Sequence, residues 1–418
     1  MNFYLLVPGT GNFFCGTCLR DYALARALRA SGHSVKIVEM YLEHKVEGGE
    51  SSDSPLFFGG INSYMQQRVP LFRHTPRAVD ALFDTKPLIR FAATKTGMTD
   101  AHFLASMTIS MLQGEAGNQF KELNRMVDWL ALQPDRPDVV VLSNAMLSGV
   151  ARKIKRELGC KVVCTLQGED AFIEGLGSHA PEVWNLLNLN AEHIDHFVSV
   201  SKYYAEKMKN AMRLADEKVA VVYNGIEWDG FSPADELPTP PTIGFLSRMC
   251  SSKGLEELVN AYIKLRGTFG DLRLHVAGSQ VNEDVAFVEK LKRTLANAGV
   301  ENEVQWSPNL TRTEKQEFLR SISVLCTPAR YDEAFGLYIL EAWGSGVPVV
   351  LPNRGAVPEL LRVIDGGIAC DNLVDGLTRG LQELVGLRER VLAQQPQVTE
   401  LFSADAMADR FFEVISAT

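Results

Sequence analysis

The stretch Ala329–Val350 reads ARYDEAFGLYILEAWGSGVPVV. A short apolar run ends just before it, at Cys326–Pro328, and a loop carrying Glu333 follows. Phe335, Gly336 and Leu337 then open a helical segment with Glu341 one turn in. Gly344–Gly346 stop that segment, and another apolar run, VPVVLP (347–352), begins. Strand, glycine turn, helix and strand in this order form the repeating unit of a parallel α/β sheet. Glycine at the helix start lets an anion approach the free backbone N–H groups. A carboxylate on the next turn can accept two hydrogen bonds from a diol. The helix dipole alone would also favour a Glu near this end. That simpler reading covers one Glu, but not a second carboxylate at the edge of the glycine turn.

The same grammar runs outward in both directions. In the first half the short runs are FYLLVP (3–8), SVKIVEMY (34–41), DVVVLS (138–143), KVVCTL (161–166), HFVSVS (196–201) and KVAVVY (218–223). In the second they are TIGFLS (242–247), LRLHVAGS (272–279), VQWSP (304–308), SVLCTPA (323–329), VPVVLP and GGIACD (366–371). They are mostly continuous Val/Ile/Leu stretches, as expected of strands covered on both faces. Helical segments such as 19–32 and 147–159 lie between them, each closing on a glycine, Gly32 or Gly159, at a left-handed stop. SPADELPTPP (232–241) holds four prolines and reads as a stiff connector. The expected fold is therefore α/β, two doubly wound Rossmann-like domains with parallel sheets, residues 1–235 and 242–400. Residues 401–418 are expected to form a C-terminal helix packing back on the first domain. In such sheets ligands sit beyond the carboxyl ends of the strands. Residues 44–128 break the pattern, with weak strand signal and scattered cations at Arg68, Arg73, Arg77, Lys86, Arg90 and Lys95. They read as a helical insert, either a solvated elaboration or a binding surface for a second substrate.

The chain has 418 residues, 46% hydrophobic and 22% charged, enough for two cores. A net charge of −9 argues against a nucleic-acid partner. Seven cysteines make a poor disulfide framework. No apolar stretch approaches the ~20 residues of a membrane span. The first residues read as a buried strand rather than a leader, so a cytoplasmic location is expected. A peripheral membrane contact has no sequence feature behind it. The eight histidines show no metal-ligand spacing, and no metal is expected.

Upstream of the opening stretch, TIGFLSRMCSSKGLEEL (242–258) puts Arg248 just past a strand and Lys253 just before a helix. Two cations at a sheet's carboxyl edge suit a diphosphate, although two solvated surface cations would look the same. The set Arg248, Lys253-Gly254, Glu333 and Glu341, with seven residues between the two carboxylates, resembles family 4 of the retaining glycosyltransferases, which have the GT-B fold. The resemblance runs nearly end to end, through ASGHSVKIV (30–38), VVCTLQGED, VAVVYNGIEWDGFSP (219–233), LHVAGS and GAVPEL (355–360). It is more specific in the second domain than in the first.

This resemblance implies two facing domains and metal-independent transfer of a sugar from a nucleotide-diphosphate sugar, with retention at the anomeric carbon. It implies that Arg248 and Lys253 hold the diphosphate and that Glu341 binds the ribose. The amides of Gly336 and Leu337, beside Phe335, meet the phosphate, and Glu333 contacts the transferred sugar. Asn309–Leu310 borders the nucleobase. The nucleotide sugar is a substrate, and no cofactor is implied. The acceptor binds the first domain, where Arg20, Asn144, Gln167 and Asp170 are candidates. The family often has a histidine after the strand that here reads VVCTL. Gln167 stands there instead, and Gln cannot titrate. A sugar-nucleotide hydrolase or phosphorylase on the same fold, and a non-catalytic nucleotide-sugar binder, are the alternatives.

FFCGTCLRD (13–21) poses a separate question. In family register Gly16 gives the donor phosphate a close backbone approach, and Arg20 in the first turn suggests an anion nearby, either that phosphate or an acidic acceptor. Cys15 and Cys18 also have the spacing of a redox or metal pair, for which Cys160 and Cys164 are the nearest completion.

Overall fold

The computed structural model describes residues 1–9, 16–41, 54–58, 60–73, 75 and 101–417. Cys15, His44 and the cations Arg77, Lys86, Arg90 and Lys95 lie outside the described residues. The chain divides into two compact units. The first comprises 1–200, 204–223 and the chain from Ala408 on; the second comprises 201–203 and 224–407.

The first unit is built on β1 (Asn2–Val7), β2 (Ser34–Glu39), β3 (Val139–Leu142), β4 (Lys161–Leu166), β5 (His196–Ser199) and β6 (Val219–Val221). They form one sheet in the order β2-β1-β3-β4-β5-β6, parallel throughout. The second unit holds β7 (Thr242–Leu246), β8 (Arg273–Gly278), β9 (Val304–Pro308), β10 (Val324–Leu325), β11 (Val349–Pro352) and β12 (Gly367–Cys370). Their order is β12-β11-β10-β7-β8-β9, again parallel. The central strands are apolar and buried on both faces because helices flank each sheet. In each sheet the strand order reverses at one place, between β1 and β3 and between β7 and β10. At these switch points the loops diverge above and below the sheet and leave a crevice at the carboxyl ends.

The SVLCTPA run is strand only over Val324–Leu325. Cys326–Ala329 already leaves the sheet to form the loop that carries Glu333. The helix expected over 19–32 is Gly16–Ala30, with Gly32 at φ +87°. The one expected over 147–159 is a 3₁₀ turn, Ala145–Val150, followed by the helix Ala151–Leu158, which Gly159 ends at φ +66°. Within the insert the described residues include the helices Gly60–Arg68, Ala101–Leu112 and Phe120–Ala131.

The proline-rich segment is not a free connector. Apart from 201–203 the second unit begins at Asn224, and 232–241 packs on it: Pro233 lies against Gly346, Arg388 donates to the Ala234 carbonyl, and Leu237 packs on the unit's core. The Trp228 indole N–H donates to the Thr399 carbonyl at 3.2 Å, and its ring covers Gly344 so closely that a Cβ there would collide with it. Arg312 donates to the carbonyls of Glu227 and Asp229, at 3.0 and 3.1 Å. The Gln316 amide donates to Asp229 O at 2.8 Å. The residues after 400 form the helix Ala404–Ser416. Phe412 on it stacks on His33 of the first unit's own fold at 4.6 Å, and Lys161 donates to Ile415 O at 3.0 Å.

His275 on β8 is buried. Its Nε2 lies 2.9 Å from Ser307 Oγ, its Nδ1 3.3 Å from Ser321 Oγ, and Phe318 meets the ring edge-on. Burial pulls its pKa down to about 4. The unfolded chain's imidazole takes its proton near pH ~6.5 and the folded one only near 4, so stability falls as pH drops through that window. The loss is expected to reach about 3 kcal/mol. Urea midpoints between pH 7 and 4 should fall less steeply in His275→Asn than in the parent chain, and equal slopes would contradict this.

Candidate functional site

In the second unit, the loop after β7 carries Arg248 and the 3₁₀ turn Ser251–Lys253. Gly254 follows at φ +74°, and a Cβ there would collide with the Pro328 carbonyl oxygen. Only glycine allows the turn this close to the loop after β10. That approach brings Lys253 Nζ to 2.6 Å from Glu333 Oε1 and 4.8 Å from the Tyr331 ring centre. Burial alone would lower the lysine's pKa. The Glu333 charge, Tyr331 and their hydrogen bonds outweigh it and hold the ammonium above its usual range. Burial also pushes the Tyr331 phenol up to about 12. Behind Glu333, the Ala356 N–H donates to its carbonyl at 2.9 Å, and Gly355 at φ +61° packs against its backbone. The cation and carboxylate that the sequence separates by eighty positions therefore meet at the β7/β10 switch point.

The other expected donor-side residues lie along the same edge, and the polar side chains among them each have a partner. Asp284, after β8, chelates Arg248 through Nε at 2.9 Å and Nη2 at 3.1 Å, and Glu283 adds a contact at 3.4 Å. Asn309, after β9, adopts φ +58° and grips Gln280 by accepting from its N–H at 2.9 Å and donating to its carbonyl at 3.2 Å. Leu310 beside it is half-buried. Gly336, at φ +93°, caps the helix Leu337–Gly344, and Phe335 is buried next to it. Glu341 is buried in that helix and pairs with Lys315 at 2.5 Å. Lys315 is itself buried, on the helix Arg312–Arg320, and sequence reasoning missed it. A buried charge of this kind persists only with its partner.

In the first unit, the helix Gly16–Ala30 and the loops after β3 and β4 converge on a buried polar network. Gln167 Nε2 donates to Ser143 O at 2.8 Å, Thr165 Oγ1 at 3.1 Å and Asp21 Oδ1 at 3.3 Å. Ser143 Oγ also donates to Asp21 Oδ2. Arg20, expected in the first helical turn beside an anion, lies on the helix Gly16–Ala30. It is 1% exposed, its Nη1 pairs with Asp21 Oδ1 at 3.0 Å, and Asp21 is thus the anion beside it. Burial raises the Asp21 pKa against the pull of Arg20. Glu169, also missed, ties the loops together. Oε1 accepts from Ala145 N–H at 2.9 Å, and Oε2 from Gln167 N–H, Gly168 N–H and the Tyr204 hydroxyl at 2.9, 3.0 and 2.9 Å. Burial raises its pKa too, against these bonds. Asp170, expected on the acceptor side, pairs with Lys207 at 2.5 Å. Asn144 caps the next turn by accepting from Met146 N–H at 3.1 Å.

Asn144, Gln167 and Glu169 border a cavity of about 540 Å³ in this unit, whose other walls come largely from the insert helices. Gly16 opens the helix that supplies Thr17 to the same cavity. Cys18 is buried, and so are Cys160 and Cys164. Burial raises the Cys160 thiol to about 11 and Cys164 well above its usual value, the opposite of an activated thiolate. Among the described residues no group of three or more His, Cys, Asp or Glu side chains could hold a metal ion. No helix among them is long and apolar enough to cross a membrane.

Residues 20–225 match the family model described as "Glycosyl transferase 4-like domain", and 231–394 match "Glycosyl transferases group 1". The chain belongs to the group 1 glycosyl transferases. Among curated relatives of this family, the D-inositol 3-phosphate glycosyltransferase of Streptomyces bingchenggensis is 29% identical over 188 residues, 42% of this chain and 41% of the relative. The match thus spans about two-fifths of that relative's length. Sucrose-phosphate synthase from Thermosynechococcus elongatus superposes over 100% of both chains with a TM-score of 0.71 at 15% identity. Anabaena Alr3699/HepE, solved in complex with UDP-glucose, covers 100% of both chains with a TM-score of 0.67 at 14% identity. The fold is GT-B, as the sequence resemblance implied.

Because Glu169 satisfies three backbone N–H groups and a hydroxyl at once, Glu169→Ala should cost about 3 kcal/mol or more. Urea denaturation checks this, and a loss under about 1 kcal/mol would show that the loops hold together without it.

Proposed function

We propose that this chain transfers a sugar from a nucleotide-diphosphate sugar to an acceptor hydroxyl, with retention at the anomeric carbon. The observation that carries the proposal is the Lys253–Glu333 contact at the β7/β10 switch point, 2.6 Å long. The donor diphosphate takes the place of the carboxylates on Lys253 and Arg248. Arg248 offers a planar fork and Lys253 a compact charge. Both act where negative charge grows as the leaving group departs, and preorganised cations are most effective there. We propose on this ground that turnover needs no divalent ion.

Glu333, released from Lys253, faces the hydroxyls of the transferred sugar and the positive charge at its anomeric carbon. Glu341, oriented by Lys315, accepts from the ribose diol. The Gly336 and Leu337 amides meet the phosphate, and Asn309–Leu310 borders the base. The UDP-glucose complex of Alr3699/HepE supports UDP-glucose as the first donor to try. The acceptor binds the first unit near Gln167, which positions a hydroxyl without titrating.

A thermal-shift panel of UDP, GDP and ADP should single out one nucleotide, with about 2.7 kcal/mol of added stability at 100 times its Kd. Glu341→Ala should weaken that nucleotide about tenfold or more, and Lys253→Ala should cut transfer of labelled sugar at least about 100-fold. Full turnover in Arg248→Ala/Lys253→Ala would refute the diphosphate assignment. Labelled free sugar with no acceptor product would mark a hydrolase instead.

A further inference from the structure

The cavity of the first unit is lopsided in its chemistry. Most of its polar groups, Thr17, Tyr41, Asn144, Gln167 and Glu169, gather at the sheet's carboxyl edge. The rest of its about 540 Å³ is walled mainly by rings and thioethers, among them Phe58, Phe103, Met107 and Met111, with hydroxyls from Tyr64 and Thr108. Leu104 and Phe172 border the same space and are themselves 40% and 39% exposed, an apolar lip open to solvent. A carbohydrate of this volume carries a hydroxyl on nearly every carbon and needs a partner for each. The described walls beyond the carboxyl edge offer few such partners. Pockets of 300–1,000 Å³ with convergent polar groups at one end are the usual form of a small-molecule site. Methionine walls adapt to flexible apolar chains.

The polar end is narrower still in what it can offer. Glu169 already accepts four hydrogen bonds, and the Asn144 oxygen caps Met146. The Gln167 amide nitrogen donates to Ser143, Thr165 and Asp21. What Gln167 still offers is its carbonyl Oε1, an acceptor for an alcohol O–H.

We infer that the acceptor is an amphiphilic alcohol, its hydroxyl held at Gln167 Oε1 and a flexible hydrocarbon body filling the methionine- and phenylalanine-lined cavity. This rests on the proposed sugar transfer and names its acceptor class. Calorimetric titration of the full chain with glucose and with n-butyl, n-hexyl and n-octyl β-D-glucoside, all below micelle formation, tests it. Each added pair of methylenes should tighten binding up to ~15-fold, and glucose should bind weakest. Met107→Trp fills the cavity at a half-buried position and should abolish the gain beyond the butyl compound. Affinity independent of chain length, or an unchanged series in Met107→Trp, would overturn the inference. The UDP, GDP and ADP panel on the same sample separates the two readings. Nucleotide binding with a flat alkyl series sinks the acceptor class alone, and a steep alkyl series without nucleotide binding sinks the donor reading alone.

Discussion

The second unit's chemistry depends on one close approach of backbone to backbone. Gly254 lies so near the Pro328 carbonyl that no side chain fits, and this sets the loop after β7 against the loop after β10. The Lys253–Glu333 pair is the consequence. It lies at the place where the strand order reverses, and the lysine is held charged by the carboxylate against the cost of its burial. Gly355 repeats the device from the other side by packing on the Glu333 backbone. A pair held this way keeps two opposite charges poised in a half-buried crevice. An incoming anion can exchange with one of them with little reorganisation, which suits electrostatic catalysis.

The same pattern recurs along the edge. Arg248 is chelated by Asp284, and Glu341 by Lys315. Each charged candidate donor group therefore already has a counter-charge. On the proposed donor role, binding is an exchange of partners, and its net energy is a difference between two strong contacts. The first unit solves a different problem. Its buried carboxylates, Asp21 and Glu169, shape the loops and orient the Gln167 amide.

The twelve described strands were legible as short β-rich runs, mostly continuous and apolar because burial on both faces of a parallel sheet leaves little room for polar alternation; β6 and the edge strand β9, VQWSP, are less buried. The glycine stops and the Arg248, Lys253, Glu333 and Glu341 set were legible too, since they sit at loop and helix-start positions with characteristic neighbours. Lys315 was not. It lies mid-helix with ordinary flanks, and its partner is on another helix, twenty-six positions on. Asp21 and Glu169 were missed for the same reason. Their roles exist only once β1, β3 and β4 are side by side. The burial of Arg20 was not legible, because helix position says nothing of it. The proline segment looked like a linker in composition, and the contacts of Pro233 with Gly346, Ala234 with Arg388 and Leu237 with the core make it part of the second unit.

The exchange of Glu333 for a phosphate on Lys253 is the central claim, and a thermodynamic cycle addresses it most directly. The affinities of UDP and UMP would be measured by calorimetry in the parent chain and in Lys253→Met, with the GDP/GMP and ADP/AMP pairs in parallel. For the base that binds, the account predicts a clear advantage of the diphosphate over the monophosphate in the parent chain, largely lost in Lys253→Met. An advantage of the same size in both would contradict it.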